Sequence, residues 1–209
     1  MYRPPAFRED RPEVMQALIE AHPLGLLITA GPAGLMASPV PFLIDRAAGA
    51  YGTLRCHLAR ANPQVAELAA TADCLVVFQG PQDYVSPGWY PSKRAHGRVV
   101  PTWNYVTVHA WGPPRVVPDA AWLHAQVGAL TDAREAARPA PWAVDDAPAD
   151  FVAGQLRAIT GVEIPVVRME GKWKVSQNRD AADRAGVADG LRAEGHAAMA
   201  DLVTTRSPK

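Results

Sequence analysis

Two stretches of the chain hold cations and no acids. Residues 46–66 contain Arg46, Arg55 and Arg60, and residues 84–118 contain Lys93, Arg94, Arg98 and Arg115, without one Asp or Glu in either. Over the whole chain charge is balanced, with Lys+Arg 21 against Asp+Glu 21. Acid-free basic runs in such a chain can converge on a bound anion; a solvated surface gives the same pattern. The second stretch also carries Tyr84, Trp89, Tyr90, Trp103, Tyr105 and Trp111. Aromatic walls with a few polar groups suit a flat heteroaromatic ligand, and equally a packed aromatic corner. Thr102 and Asn104 alternate with Trp103 and Tyr105, so a strand there puts hydroxyl and amide at the mouth of an otherwise apolar face. His57, Arg60 and Asn62 lie where a strand gives way to a helix, a place that can hold phosphate or simply satisfy a structural histidine. Cys56 and Cys74 have no paired base and read as buried small hydrophobes. The chain has no HExxH, GxSxG, GxGxxG or GxxxxGK[ST].

The elements that must position these residues follow from periodicity and punctuation. Asp10, Pro12 and Glu13 start a helix that His22-Pro23 stops. Strands are expected at 24–29, at 35–45 with interruptions at Pro39 and Pro41, and at 51–58, before a helix at 63–71. A buried strand spans 73–79, a long loop 80–101 and a long strand 102–117. Helices at 119–136 and 147–160 precede a hairpin of 162–169 and 172–177 that turns at Glu170-Gly171. Two short helices around Gly190 close the chain. The pattern is α+β, a small barrel with helices around it.

Length and composition set the outer bounds. With 209 residues, 48% of them hydrophobic, the chain can bury a core without disulfides or metal. It reads as one domain over 1–209, with 179–209 a helical tail. Twenty prolines argue for short elements and stiff loops. The absence of a long apolar run or a signal-type N-terminus points to the cytoplasm and away from a membrane.

MYRPPAF, HLARANPQ, FQGPQDYVSPGWYPSK, VVPTWNY, LTDAREAARPAPW and EGKWKVSQN together resemble the PaiB family of FMN-binding negative transcriptional regulators. The resemblance runs in order from Met1 to about Leu202. Cys56 and Thr160 depart from it, at positions where a glycine-like and an aliphatic residue are expected. It implies a split β-barrel of the pyridoxamine-phosphate-oxidase type, a homodimer with FMN at the subunit interface. It also implies cofactor-binding residues. Thr53, His57, Arg60 and Lys93 would face phosphate and ribityl. Ser38, Thr102 and Asn104 would meet the isoalloxazine. Lys174, Ser176 and Gln177 would complete the site from the second subunit.

The family's regulatory name and the charge pattern pull apart. The tail at 179–202 has Arg179, Arg184 and Arg192 against Asp180, Asp183, Asp189, Glu194 and Asp201. A recognition helix that acidic is repelled by phosphate, so direct DNA binding is doubtful. Three readings stand: an FMN-binding regulator acting through flavin state or a partner protein, a flavin oxidoreductase, and a binder of haem or another flat cofactor with His57 or His109 as ligands. A regulator is expected over an enzyme, with no catalytic residue assigned.

Overall fold

The computed structural model describes residues 1–32 and 34–206. The chain divides into two units, one of Met1–Met15, Gln79–Val108 and the residues from Glu170 onward, the other of Gln16–Phe78 and His109–Met169.

The second unit is built on alternation. In β2 (Leu24–Gly31) alternate side chains are buried, and β2 pairs antiparallel with β3 (Gly34–Pro41), Leu27 opposite Ser38. Its other edge meets the start of β6 (Cys74–Val85), Leu27 opposite Val76. Gly25 is required here, because a Cβ would lie 2.7 Å from the Phe78 ring and 2.8 Å from Val76. The other sheet of this unit has the order β4 (Leu43–Asp45), β5 (Thr53–Ala59), β9 (Ile159–Pro165), β8 (Arg115–Val117). Leu54, Cys56 and Leu58 of β5 are buried, as period two demands. Helices α2 (Gln64–Ala70), α4 (Ala120–Glu135) and α5 (Ala149–Arg157) decorate these sheets. Gln64 is fully buried, and its amide donates to Leu27 O at 3.0 Å and Thr29 Oγ1 at 3.2 Å.

In the first unit β1 (Arg8–Glu9) pairs with β10 (Arg168–Lys174), Arg8 opposite Lys172. The strand order there is β1, β10, β7 (Thr102–Gly112), then β6. The helix α1 (Pro12–Ala21) starts in this unit and α3 (Ser92–His96) lies in it. The chain ends in α6 (Ala181–Ala193) and α7 (Ala197–Thr205). No helix among the described residues is long and apolar enough to cross a membrane.

The α+β expectation holds, and four details of it change. β6 continues to Val85, so the expected loop from residue 80 begins only after it. The long strand at 102–117 is broken at Pro113-Pro114, which cannot donate ladder bonds. There is no hairpin turning at Glu170-Gly171: both residues lie inside β10, while β9 pairs with β5 and β8. Gly190 is not a break but the interior of α6. A Cβ there would sit 2.3 Å from the Trp89 indole, and the left-handed Gly195 is what ends the segment.

Glu9 ties both chain ends of the first unit. It is buried and accepts Arg11 Nε at 2.9 Å and Nη2 at 2.7 Å, and also Arg206. Burial pushes its pKa up, but the hydrogen bonds from Arg11 and Arg206 together overcome this and hold it at about 2. A folded value below the ordinary one means the stabilisation is complete above about pH 4.5 and is lost as pH falls toward 2. Glu9→Gln should therefore cost about 2 kcal/mol at pH 7. In urea melts the gap from wild type should close as pH is lowered from 5 to 2.5; a gap independent of pH would assign the stabilisation elsewhere.

Candidate functional site

β7 turns Trp103 and Tyr105 to one side, and Thr102, Asn104 and Val106 to the other. Asn104 is only 1% exposed, so its amide needs partners. Its Nδ2 donates to Ser176 Oγ at 3.0 Å, across 72 residues of chain. Ser176 is itself buried and has φ 64°, the sole non-glycine among the described residues in the left-handed region. Such a backbone persists only where neighbours hold it. Gln177 is part of that hold: its Oε1 accepts from Val175 N–H at 2.8 Å, and its Nε2 donates to Trp173 O. Lys174 Nζ donates to Thr102 Oγ1 and Trp103 O. Hydrogen bonds thus join Thr102 to Lys174 and Asn104 to Ser176, each pair 72 residues apart, while Gln177 braces the segment that carries Lys174 and Ser176.

This group is positively charged. Burial lowers the Lys174 pKa, and the nearby Lys172 and Arg179 lower it further. Lys172 lies 5.2 Å from the Tyr105 ring centroid, and Arg179 lies 4.7 Å from that of Tyr90. None of these three cations is ion-paired among the described residues. Lys172 and Arg179 were not singled out from the sequence, although both belong to the KWKVSQNR run that flags their neighbours. Lys93 stands exposed on α3, with Arg94 and Arg98 nearby in sequence, and makes no ion pair among the described residues. Tyr84 and Trp103 meet edge to face at 6.1 Å and are each about half exposed, with Trp103 Nε1 anchored on Gln82.

The remaining expected residues lie in the second unit. Ser38 is on β3, half-buried, opposite Leu27. Thr53 Oγ1 donates to Ala48 O at 3.0 Å. His57 is opposite Gly161, against whose missing Cβ the Trp122 ring packs. Burial lowers the His57 pKa, and its Nδ1 is buried without a hydrogen-bond partner, so the neutral ring is favoured. Arg60 is exposed and donates through Nη2 to Ile159 O at 3.0 Å. Burial raises both thiols, Cys74 to about 12, so neither is a nucleophile at neutral pH.

The donor set in the first unit fits FMN. Amide, hydroxyl and ammonium groups suit the polar edge of an isoalloxazine, whose negative charge grows on reduction. The unneutralised cations suit that charge or a phosphate.

The family model described as "Putative FMN-binding domain" matches residues 1–168. A protein of Emericella nidulans is 34% identical over 91% of this chain and 90% of its own length. The protease synthase and sporulation protein PAI 2 of Bacillus subtilis is 28% identical over 93% of this chain and 90% of its own. Among solved structures, the flavocytochrome Anf3 of Azotobacter vinelandii is similar in fold, with a TM-score of 0.58 at 14% identity, covering 86% of this chain and 75% of that one. The fold is of the split-barrel type, as the sequence led us to expect.

Ser176→Gly separates structure from binding. It relieves about 1 kcal/mol of left-handed strain and removes a hydrogen bond of similar worth, so thermal stability should stay within about 1 kcal/mol of wild type. FMN affinity, read by flavin fluorescence titration, should fall because Asn104 is released. Unchanged affinity would remove this group from the flavin site.

Proposed function

The chain belongs to this FMN-binding family and FMN is its cofactor; from that premise we propose a homodimeric flavoprotein that acts as a negative regulator through its flavin rather than by reading DNA itself. The observation that carries this is the buried Asn104–Ser176–Gln177 group with Lys174, which is preorganised and cationic. Bound FMN supplies redox chemistry that the protein's own side chains lack. Asn104, Ser176 and Thr102 orient the ring edge, Lys174 places positive charge beside it, and Lys93 meets the phosphate.

The tail supports an indirect output. A DNA-reading helix needs free cations. Here Arg184 donates to the Val203 and Arg206 carbonyls, and Arg192 pairs with Asp201 at 3.1 Å. Asp183 is buried and accepts from Ser92 N and Oγ. Arg184 and Arg192 are thus used inside the fold, and Arg179, at the start of the tail, lies with the Lys174 group. The regulatory role itself rests on the resemblance of the sequence blocks to a family of negative transcriptional regulators.

The dimer reading rests on an apolar sheet face. Leu24, Leu26 and Ile28 of β2 alternate outward, flanked by Leu35 on β3 and by Leu75 and Val77 on β6. Leu35 is 80% exposed and Leu24 64%. β2, β3 and the Cys74–Phe78 part of β6 contain no Asp, Glu, Lys or Arg. A contiguous exposed apolar face is an interface signature, and an uncharged one can meet its own copy without opposing like charges.

A second reading, flavin oxidoreductase, is favoured by the cations around Lys174. Positive charge there stabilises reduced flavin and raises its potential.

Three measurements test these readings. Purified protein given FMN should show a flavin spectrum, and Lys93→Ala should weaken FMN about tenfold while leaving riboflavin unaffected. A haem spectrum, or no chromophore after FMN addition, would end the proposal. Leu26→Asp with Leu35→Asp should halve the mass seen by light scattering, since both side chains are solvent-facing in a single chain; wild type already monomeric at micromolar concentration with FMN would refute the dimer. Against a labelled promoter and a scrambled control near 150 mM salt, binding should be non-specific, with Kd on the order of 10⁻⁴–10⁻⁶ M. A nanomolar, sequence-selective complex would restore direct repression, and NAD(P)H oxidation above a no-protein control would favour the enzyme.

A further inference from the structure

The second unit has a cavity between the start of α4 and the end of α5. Its volume is about 270 Å³, and it is bounded by Pro118, Ala120 and Leu123 on one side and by Ala153 and Leu156 on the other. Its polar groups are two guanidiniums, Arg60 and Arg157. Arg60 spends one nitrogen on Ile159 O, and Arg157 makes no hydrogen bond or ion pair among the described residues. No carboxylate lines the cavity. The nearest acid in sequence, Asp119, is committed to capping α4, accepting Trp122 N–H at 2.7 Å.

The composition of this wall selects a ligand. Leu123 is buried and gives the cavity an apolar floor, while Ala120 and Ala153 keep it open where larger side chains would fill it. Arg60 and Arg157 line the same cavity with no acid beside them, which suits an anion that can accept from a guanidinium, and carboxylate geometry matches that fork. A volume just under the range of drug-sized pockets admits a small body only. We propose that this cavity binds a small carboxylate with an apolar body, a monocyclic aromatic acid or a short-chain fatty acid. Arg60 and Arg157 clamp the carboxylate, and Leu123, Leu156 and the two alanines hold the hydrocarbon. The site does not depend on the flavin reading, although Arg60 is shared with the residues expected near phosphate.

The test uses the full chain with benzoate and hexanoate as probes, and benzyl alcohol as the uncharged control, in calorimetric titrations. Benzoate or hexanoate should bind with one-to-one stoichiometry and benzyl alcohol should not. Arg157→Gln should weaken the acid about tenfold, and Ala153→Phe, at an exposed helix position, should abolish binding by filling the cavity. Both variants should keep the wild-type FMN affinity, which shows them folded and separates this site from the flavin site. Saturating FMN should leave the benzoate affinity unchanged. Equal binding of acid and alcohol, or a wild-type response from Ala153→Phe, would overturn the proposal. So would displacement of benzoate by FMN, which would give the cavity to the flavin. Failure of FMN binding with carboxylate binding intact would count against the flavin reading alone.

Discussion

A buried side-chain amide must be partnered, and the satisfaction of Asn104 governs the geometry around it. An unpaired amide at that depth costs about 1–3 kcal/mol. Its partner is Ser176 Oγ, on the chain segment that follows β10. To present that hydroxyl the chain takes a left-handed step at a residue with a Cβ. The step is held from both sides, by Gln177 folding back onto Val175 and Trp173 and by Arg179 N–H bonding Ser176 O at 3.0 Å. One polar requirement therefore fixes the register of two distant segments and leaves Lys174 aimed at β7. Rigid placement of this kind is what a ring-edge recognition group needs, because orientation set in advance is not charged against binding.

Charge is distributed by the same logic of use. Arg184 and Arg192 of the tail are spent on helix-end carbonyls and on Asp201. Glu9 takes two arginines at once and is held ionised far into acid. Lys172, Lys174 and Arg179 are left together without an acid, although mutual repulsion and burial make that unfavourable. Stability alone offers no reason to keep such a cluster, whereas an anion or a ring edge that gains negative charge on reduction supplies one. The formal balance of 21 against 21 thus averages over arginines such as Arg184, Arg192 and Arg206 that are spent inside the fold and a cluster of Lys172, Lys174 and Arg179 that is not neutralised.

Period two and chain punctuation made most strands legible, and the PTWNY and KWKVSQN blocks that the family resemblance brings to one site, with Thr102, Asn104, Lys174, Ser176 and Gln177, lie on segments that do converge. Pairing was less legible. The Glu170-Gly171 dipeptide has turn chemistry, yet Gly171 lies within β10, where a Cβ would meet Glu9 O at 2.9 Å and Met15 Sδ at 2.9 Å. Its glycine answers to close packing, a tertiary demand invisible to local reading. Gly190 misled in the same way, since helix interiors rarely keep glycine without a reason and the reason, Trp89, lies about 100 residues upstream. Gly80-Pro81 and Asp83 are poor strand formers, which hides from local reading the continuation of β6 to Val85.

The HLARANP run shows why a sequence block and a ligand-facing set need not coincide. Along β5 successive side chains point to opposite faces, so Leu54, Cys56 and Leu58 enter the core while Thr53, Arg55 and His57 share the other side. On that side Arg55 joins Asp45 and Glu163 at 3.2 Å each, and His57 faces the Gly161 position over which Trp122 lies. Arg60 is past the strand end, where its backbone and guanidinium both hold the Ala158-Ile159 turn. A run of seven consecutive residues is thus dispersed over a core, a helix-covered face and a strand terminus. Its regularity in sequence is consistent with the packing of β5 between a core and α4, and any ligand contact it makes must come from the few atoms this arrangement leaves free, the Arg60 guanidinium first among them.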